Sequence, residues 1–257
     1  MLAALRRLTP ILAAAALALA GCSGGGNEAQ PPATTTTPSL TPEQTQESDV
    51  AVQRSRVLKT FGAFLTAAGK HDAAGMWAQL SQPSQARLGL TLAEFTKTHA
   101  KTLEANPGQL SKSQGDLLVA EPLSASFAVI AIGGKAAPST PYTVFAAALR
   151  REGDAWKVEL GASVHLTDLR PRANESLSGS QHQIAAGIVS DTAPVHDSAL
   201  WLDGSAVPGQ VGGTDKRHVT VFGTLQGEVP PGRHTVVVFA RAGHDAAAFA
   251  WTYRLTK

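Results

Sequence analysis

Side chains able to act as nucleophiles or metal ligands are sparse in this chain of 257 residues, which has one cysteine, Cys22, and eight histidines. Gly21-Cys22-Ser23-Gly24-Gly25 has the Gly-x-Ser-x-Gly spacing that can place a serine nucleophile on a strand-to-helix elbow. It follows an apolar run and leads into glycines, so it lacks the context that chemistry needs, and the match is spurious. There is no His-Glu-x-x-His, no phosphate loop ending Gly-Lys-Ser/Thr, and no Ser-x-x-Lys with Lys-Thr-Gly. The usual signatures of zinc-peptidase, nucleotide and penicillin-binding chemistry are therefore missing. His182, His196, His218, His234 and His244 fall late in the chain, but no two have the one-turn spacing of a helical zinc site, and no metal is expected. General acid-base work needs a carboxylate or imidazole with a shifted pKa facing a hydrogen-bond donor. His99, Asp116 and Tyr142 are the candidates. Each has a plainer reading that is preferred: His99 as a solvated helix residue, Asp116 as a turn residue beside Gly115, and Tyr142 as a core or rim aromatic after Pro141. No catalytic or cofactor-binding residue is assigned.

The elements around these residues begin with an export signal. Arg6 and Arg7 precede an apolar stretch from Leu8 to Ala20, which is shorter than the roughly 20 residues a spanning helix needs. It ends in Leu19-Ala20-Gly21-Cys22, which resembles the lipobox of bacterial lipoproteins. The resemblance implies cleavage before Cys22, acylation of its sulfur, and a lipid anchor on the extracytoplasmic face of the membrane. Two long acyl chains, at ~0.8 kcal/mol per buried CH₂, hold a folded body far more firmly than one. The alternative is an ordinary cleaved signal with Cys22 as a stray thiol, which an oxidising compartment disfavours.

The whole chain carries 22 basic and 20 acidic side chains. Without residues 1–21, which hold two arginines and no acid, the two signs balance at 20 each. A balanced surface gains little from counterion release, so nucleic acid is excluded as a partner. Hydrophobic content of 43% with only 5% aromatic residues predicts a core built on Ala, Val and Leu.

Residues 22–48 are rich in Gly, Pro and Thr and read as a stalk, flexible where Gly dominates and extended where Pro does. Thr41-Pro42-Glu43-Gln44 is a candidate helix start inside it. Val57, Leu58, Phe61, Phe64, Leu65 and Ala68 recur at spacings of three and four, which predicts an amphipathic helix over 50–68. Further helices are expected from Asp72 to about Leu80 and from Thr91 to Glu104, the latter stopped by Asn106-Pro107-Gly108. Strands are expected over 126–133, 142–151 and 155–160, with Gly153-Asp154 as a hairpin turn. The last places Trp156, Val158 and Leu160 on one face and Lys157 and Glu159 on the other. Trp77 and Trp156 are expected in the core.

The Lys-His-Asp-Ala-Ala run at 70–74 and Gly-Asp-x-Trp-Lys-Val at 153–158 resemble the nuclear-transport-factor-2-like fold. That resemblance implies α+β architecture over 49–168: N-terminal helices on a curved antiparallel sheet, forming a cone able to enclose a pocket. His99, Asp116 and Tyr142 could line such a cavity.

After a break at 169–180, residues 181–257 divide into short period-two runs separated by turns such as Asp203-Gly204 and Gly243-His244. Pro231 to Val238, followed by Phe249 to Leu255, resembles the closing hairpin of bacterial immunoglobulin-like domains, implying an all-β immunoglobulin-like sandwich. Val236 and Val238 share one face, Val237 and Phe239 the other, and which face is inward stays open. Trp201, Trp251 and Tyr253 are expected to supply the sandwich's aromatic core. Gly243-His244-Asp245 faintly resembles the last hairpin of copper-resistance periplasmic proteins. Their copper site also uses a histidine at a free N-terminus, and the equivalent position here lies in mid-chain.

The expected function is a membrane-anchored lipoprotein, non-catalytic, that binds or scaffolds at the cell envelope. Its expected partners are the membrane through Cys22, and an envelope protein or a small apolar ligand. The alternative is a small-molecule carrier or an isomerase- or dehydratase-type enzyme using the cone.

Overall fold

The computed structural model describes residues 42–257 apart from residues 90, 112–114, 136, 162 and 214. The signal, Cys22 and the stalk as far as residue 41 lie outside the described residues. The first half supplies five helices, α1 (Pro42–Gly69), α2 (Ala73–Gln79), α3 (Gln82–Arg87), α4 (Leu92–Thr98) and α5 (Ala100–Ser111). Four strands follow, β1 (Asp116–Pro122), β2 (Phe127–Gly134), β3 (Thr143–Glu152) and β4 (Ala155–Glu159), hydrogen-bonded in the order β1-β2-β3-β4 as an antiparallel meander.

Local chemistry explains most boundaries. α1 starts at Pro42, within the segment read as stalk, and buries Val57, Phe61, Phe64 and Ala68; Leu58, expected on that stripe, is exposed. His71 takes the left-handed conformation, φ 57°, and the Asp72 carboxylate accepts from Gly75 N at 2.9 Å to cap α2. The Lys-His-Asp run is thus a helix stop joined to a helix start. Gly153, at φ 60°, opens the two-residue β3–β4 turn. The helix expected over 91–104 is instead two, broken at His99, and α5 continues past Pro107 to Ser111. Proline removes one helical hydrogen bond, but Pro107 and Leu110 are both buried, and that packing offsets the loss.

The second half contains β5 (Val164–Arg170), β6 (Ser176–Ser178), β7 (Gln183–Ser190), β8 (Val195–Leu202), β9 (Ser205–Val207), β10 (Gly209–Gly213), β11 (His218–Thr224), β12 (Gly232–Ala242) and β13 (Asp245–Thr256). They form a four-stranded sheet, β10-β11-β7-β5, and a five-stranded sheet, β6-β13-β12-β8-β9, packed as a sandwich. β5 pairs with β7 and β6 with β13, so residues read as the end of the first domain and as a linker are hydrogen-bonded into the sandwich.

The two halves share a core. Along β12, Val236, Val238 and Ala240 face the sandwich interior with Ile184, Val221, Trp251 and Tyr253. Val237 and Phe239 face the opposite way, onto Val129, Ala131, Ala146 and Ala148 of the meander. The question of which face is inward resolves to both. Trp201 belongs to this second layer and not to the sandwich core where it was expected. The meander is likewise covered twice, because Ala128, Ile130, Ala147 and Leu149 face the helices. Alternation therefore explains the alanine-rich strands: small side chains let two sheets approach across a buried face. Two glycines serve the same junction at positive φ. A Cβ on Gly204 would lie 2.4 Å from the Leu118 carbonyl oxygen, and one on Gly161 would lie 2.6 Å from that of Ala246. No described helix is long and apolar enough to cross a membrane.

Candidate functional site: the polar junction between the halves

The residues considered for acid-base chemistry do not converge. His99 caps the C-terminus of α4 and lines a hollow of about 250 Å³ with Leu103, Pro107 and Phe145. The helix-facing side of the meander is filled nearby, where Phe61, Phe64 and Phe145 stack with centroids 5.9–6.5 Å apart. Asp116 is exposed at the start of β1, and its charge acts on Tyr142. Tyr142 points away from His99's hollow toward the second half, where the Arg233 guanidinium stacks 4.6 Å from its ring. Burial and Asp116 raise the phenol above its usual value, against the pull of Arg233. Trp77 is half-buried on Phe95, centroids 5.2 Å apart, and Trp156 is buried with its indole N–H donating to Gln53 at 3.0 Å.

Three histidines pair singly with acids at the surface: His165 with Asp191, His218 with Asp215, and His71 with Glu104. His234 is buried, with Nδ1 2.7 Å from Asp203 and Nε2 2.7 Å from the Pro230 carbonyl. Tyr253 lies against it, and burial, aided by Asp203, pushes its phenol up to about 12. Among the described residues, no three His, Cys, Asp or Glu side chains are grouped to hold a metal ion.

The strongest polar constellation escaped the sequence reading. Glu159, which alternation places with Lys157 opposite Trp156 and Val158, is 1% exposed. Its carboxylate accepts from Ser81 Oγ at 2.8 Å, Ser84 Oγ at 2.9 Å, Arg150 Nε at 2.8 Å and Arg87 Nη2 at 3.2 Å. Arg87 extends into the second half, donating from Nη1 to Asp245 at 2.8 Å, and Arg150 donates to the His244 carbonyl oxygen. Asp245 also accepts from the Ser163 hydroxyl and backbone N–H. Local structure positions every member. Ser81 caps α3, with Pro83 in its first turn, a helix absent from the elements expected above although Ser-x-Pro is a helix-start signal. The β12–β13 turn, opened by Gly243 at φ 61°, presents His244 and Asp245 together.

This network makes the junction acid-sensitive. Burial raises the Asp245 carboxyl, but Ser163 and Arg87 outweigh it and leave its pKa below the ordinary 3.8. A group held low stabilises the fold above its unfolded value and loses that contribution as pH falls through the folded value. Stability is therefore expected to fall below about pH 3.8, and to fall less steeply there in Asp245→Asn. Denaturant melts between pH 5 and 2 measure this, and parallel profiles for the two proteins would contradict it.

Other hollows lie at the surface. One of about 770 Å³ is bordered by Asp168, Arg170, Arg172, Glu175 and Leu177 along the β5–β6 edge. Another, of about 360 Å³, is lined by Phe127 and by Arg241, whose guanidinium lies 5.5 Å from the ring centroid. A third, of about 250 Å³, gathers Tyr142, Arg233 and Arg254 with Asn174, Ser176 and Thr252.

No family model matches the chain, and no curated protein matches it in sequence. Among solved structures, CopC from Methylosinus trichosporium OB3b is similar over 36% of this chain and 92% of its own, at 15% identity and a TM-score of 0.30. PcoC, a methionine-rich copper resistance protein from Escherichia coli, is similar over 37% of this chain and 100% of its own, at 15% identity and a TM-score of 0.29. The fibronectin(III)-like modules of Clostridium thermocellum CbhA are similar over 49% of this chain and 84% of their own, at 14% identity and a TM-score of 0.26.

Proposed function

We propose that this chain is an extracytoplasmic lipoprotein, held at the membrane by lipid on Cys22, that acts as a non-catalytic binding or scaffolding module at the cell envelope. In this reading the first half is a nuclear-transport-factor-2-like domain and the second an immunoglobulin-like one. The observation that carries it is the double covering of the meander, with helices on one face and the five-stranded sheet on the other. A cone that works on a substrate needs an open interior, and pockets for small-molecule ligands usually measure ~300–1,000 Å³. The hollow beside Phe145 measures about 250 Å³, and behind it Phe145 stacks on Phe61 and Phe64. That arrangement supports a module that works through its surface.

Cys22→Ser is expected to release the protein to the medium or to leave an unprocessed precursor. Cell fractionation with intact mass measurement reads both. Normal maturation with unchanged membrane retention would contradict the assignment. Crosslinking in intact cells, followed by mass spectrometry, is expected to recover an envelope protein joined to the anchored form, and recovery of no such partner would count against scaffolding.

A further inference from the structure

We propose that the crevice of Tyr142, Arg233 and Arg254, where the meander meets the five-stranded sheet, is a binding site for the anionic head of a ligand, a carboxylate or phosphate group gripped by the two guanidiniums. The inference stands on this geometry alone and does not depend on Cys22 or on the envelope setting.

Arg233 and Arg254 are direct partners in the β12–β13 ladder, so their side chains leave the sheet side by side on one face. It is the face that Val237 and Phe239 present to the meander. Like charges directly opposite across two strands are destabilising. Among the described residues Arg87, Arg150, Arg151 and Arg241 have a carboxylate partner. Arg233 and Arg254 have none, like several other surface arginines, and what sets them apart is that they sit directly opposite each other in one crevice. The nearby acids do not supply one. Asp203 accepts from His234 Nδ1 and from Thr235 N, both at 2.7 Å, and Glu175 accepts from Arg172 N at 2.7 Å. Asp116 acts on Tyr142 from the exposed start of β1.

The remaining walls suit an anion. Stacking on Tyr142 orders the Arg233 guanidinium before any ligand arrives, which lowers the entropy lost on binding. Ser176 contributes a hydroxyl. Thr252 Oγ1 donates to Asn174 Oδ1 at 3.4 Å, which leaves the Asn174 amide nitrogen as a further donor. Guanidiniums bind carboxylate and phosphate oxygens in pairs, with charge-assisted hydrogen bonds that a single ammonium cannot reproduce. A volume of about 250 Å³ is below that of a pocket enclosing a whole ligand and admits the anionic head alone, with the rest of the ligand lying outside.

Calorimetric titration of the full-length protein with inorganic phosphate, and separately with succinate, tests this at constant ionic strength set by chloride. Saturable one-site binding of at least one is expected, and the arm that saturates identifies the oxyanion. Arg254→Gln should weaken that binding about tenfold. Arg254→Lys should weaken it too, because a point charge loses the bidentate grip, while Arg170→Gln should leave it unchanged. In chloride alone Arg254→Gln should melt no lower than the parent, because the cross-strand repulsion is gone, and this also establishes that the variant folds. Absence of saturable binding with both anions, or binding by Arg254→Gln and Arg233→Gln as tight as the parent's, would overturn the proposal.

Discussion

Glu159→Ala is expected to destabilise the whole described structure by about 3–5 kcal/mol, the cost typical of removing one member of a buried charge network. The side chain is fully buried and accepts from two arginines and two serines. Its loss leaves Arg150 without its carboxylate, Arg87 with only Asp245, and two hydroxyls with an empty acceptor site. Water cannot reach the two buried serines without opening the junction, whereas the arginines are partly solvated. Glu159→Gln should cost less, since one amide oxygen still accepts, yet its amide nitrogen would face arginine donors. The distinguishing feature is where the damage appears. Arg87 and Arg150 also hold Asp245 and the His244 carbonyl, so the β12–β13 hairpin should lose protection although Glu159 is outside the sandwich. Chemical denaturation followed through hydrogen exchange measures this. A loss confined to β3 and β4 would show that the network does not couple the halves.

Trp201→Ala is the second large effect, at about 3–5 kcal/mol for a buried aromatic that leaves a cavity. Trp201 is 1% exposed and packs in the layer between the sheets with Phe239, Val129 and Ala148. Its indole N–H donates to Glu121 on β1 at 3.3 Å. The neighbours are strands of two sheets and cannot collapse into the gap without shifting a ladder. Phenylalanine at 201 should recover much of the loss while leaving Glu121 without its donor. Equilibrium unfolding compares the three proteins, and a loss below about 1 kcal/mol for Trp201→Ala would mean that the layer is not the shared core described above.

The features legible in the sequence were those governed by near neighbours. Asp72, Gly153 and Asp203-Gly204 act within a few residues, and each stop or turn stands where it was expected. Three of the four antiparallel strands of the first half follow from alternation and the Gly153-Asp154 turn, β1 being the exception, and the long hairpin of the second follows from alternation and its turn residues. What escaped depends on partners far along the chain. Val237 and Phe239 are as apolar as Val236 and Val238, and nothing local reveals that strands near residues 129 and 148 cover them. Glu159 alternates with Trp156 and Val158 as a surface residue would, and only the return of α3 and of Asp245 makes its face an interior. The Ser- and Pro-rich composition of 169–180 signalled a linker, but β6 requires only three residues beside Arg254 to Thr256 to extend a sheet. For the same reason Tyr142 was legible as a rim aromatic and its stacking on Arg233 was not.

A junction this continuous changes what the protein can present to a partner. Two modules joined by a linker would sample many relative orientations, whereas a shared sheet-on-sheet core fixes one, so surfaces contributed by both halves can act as a single face. The crevice at Tyr142 and Arg233 is such a surface, with walls from both.

Hydrogen exchange read by mass spectrometry across a denaturant series tests this shared core most directly. The opening free energies of the β2–β3 segment, 127–152, and of β12, 232–242, are the quantities to compare. The account predicts that both converge on one global value and one denaturant dependence, so that the halves unfold as a single cooperative unit. Two separate isotherms, with the sandwich persisting after β2 and β3 have exchanged, would contradict it.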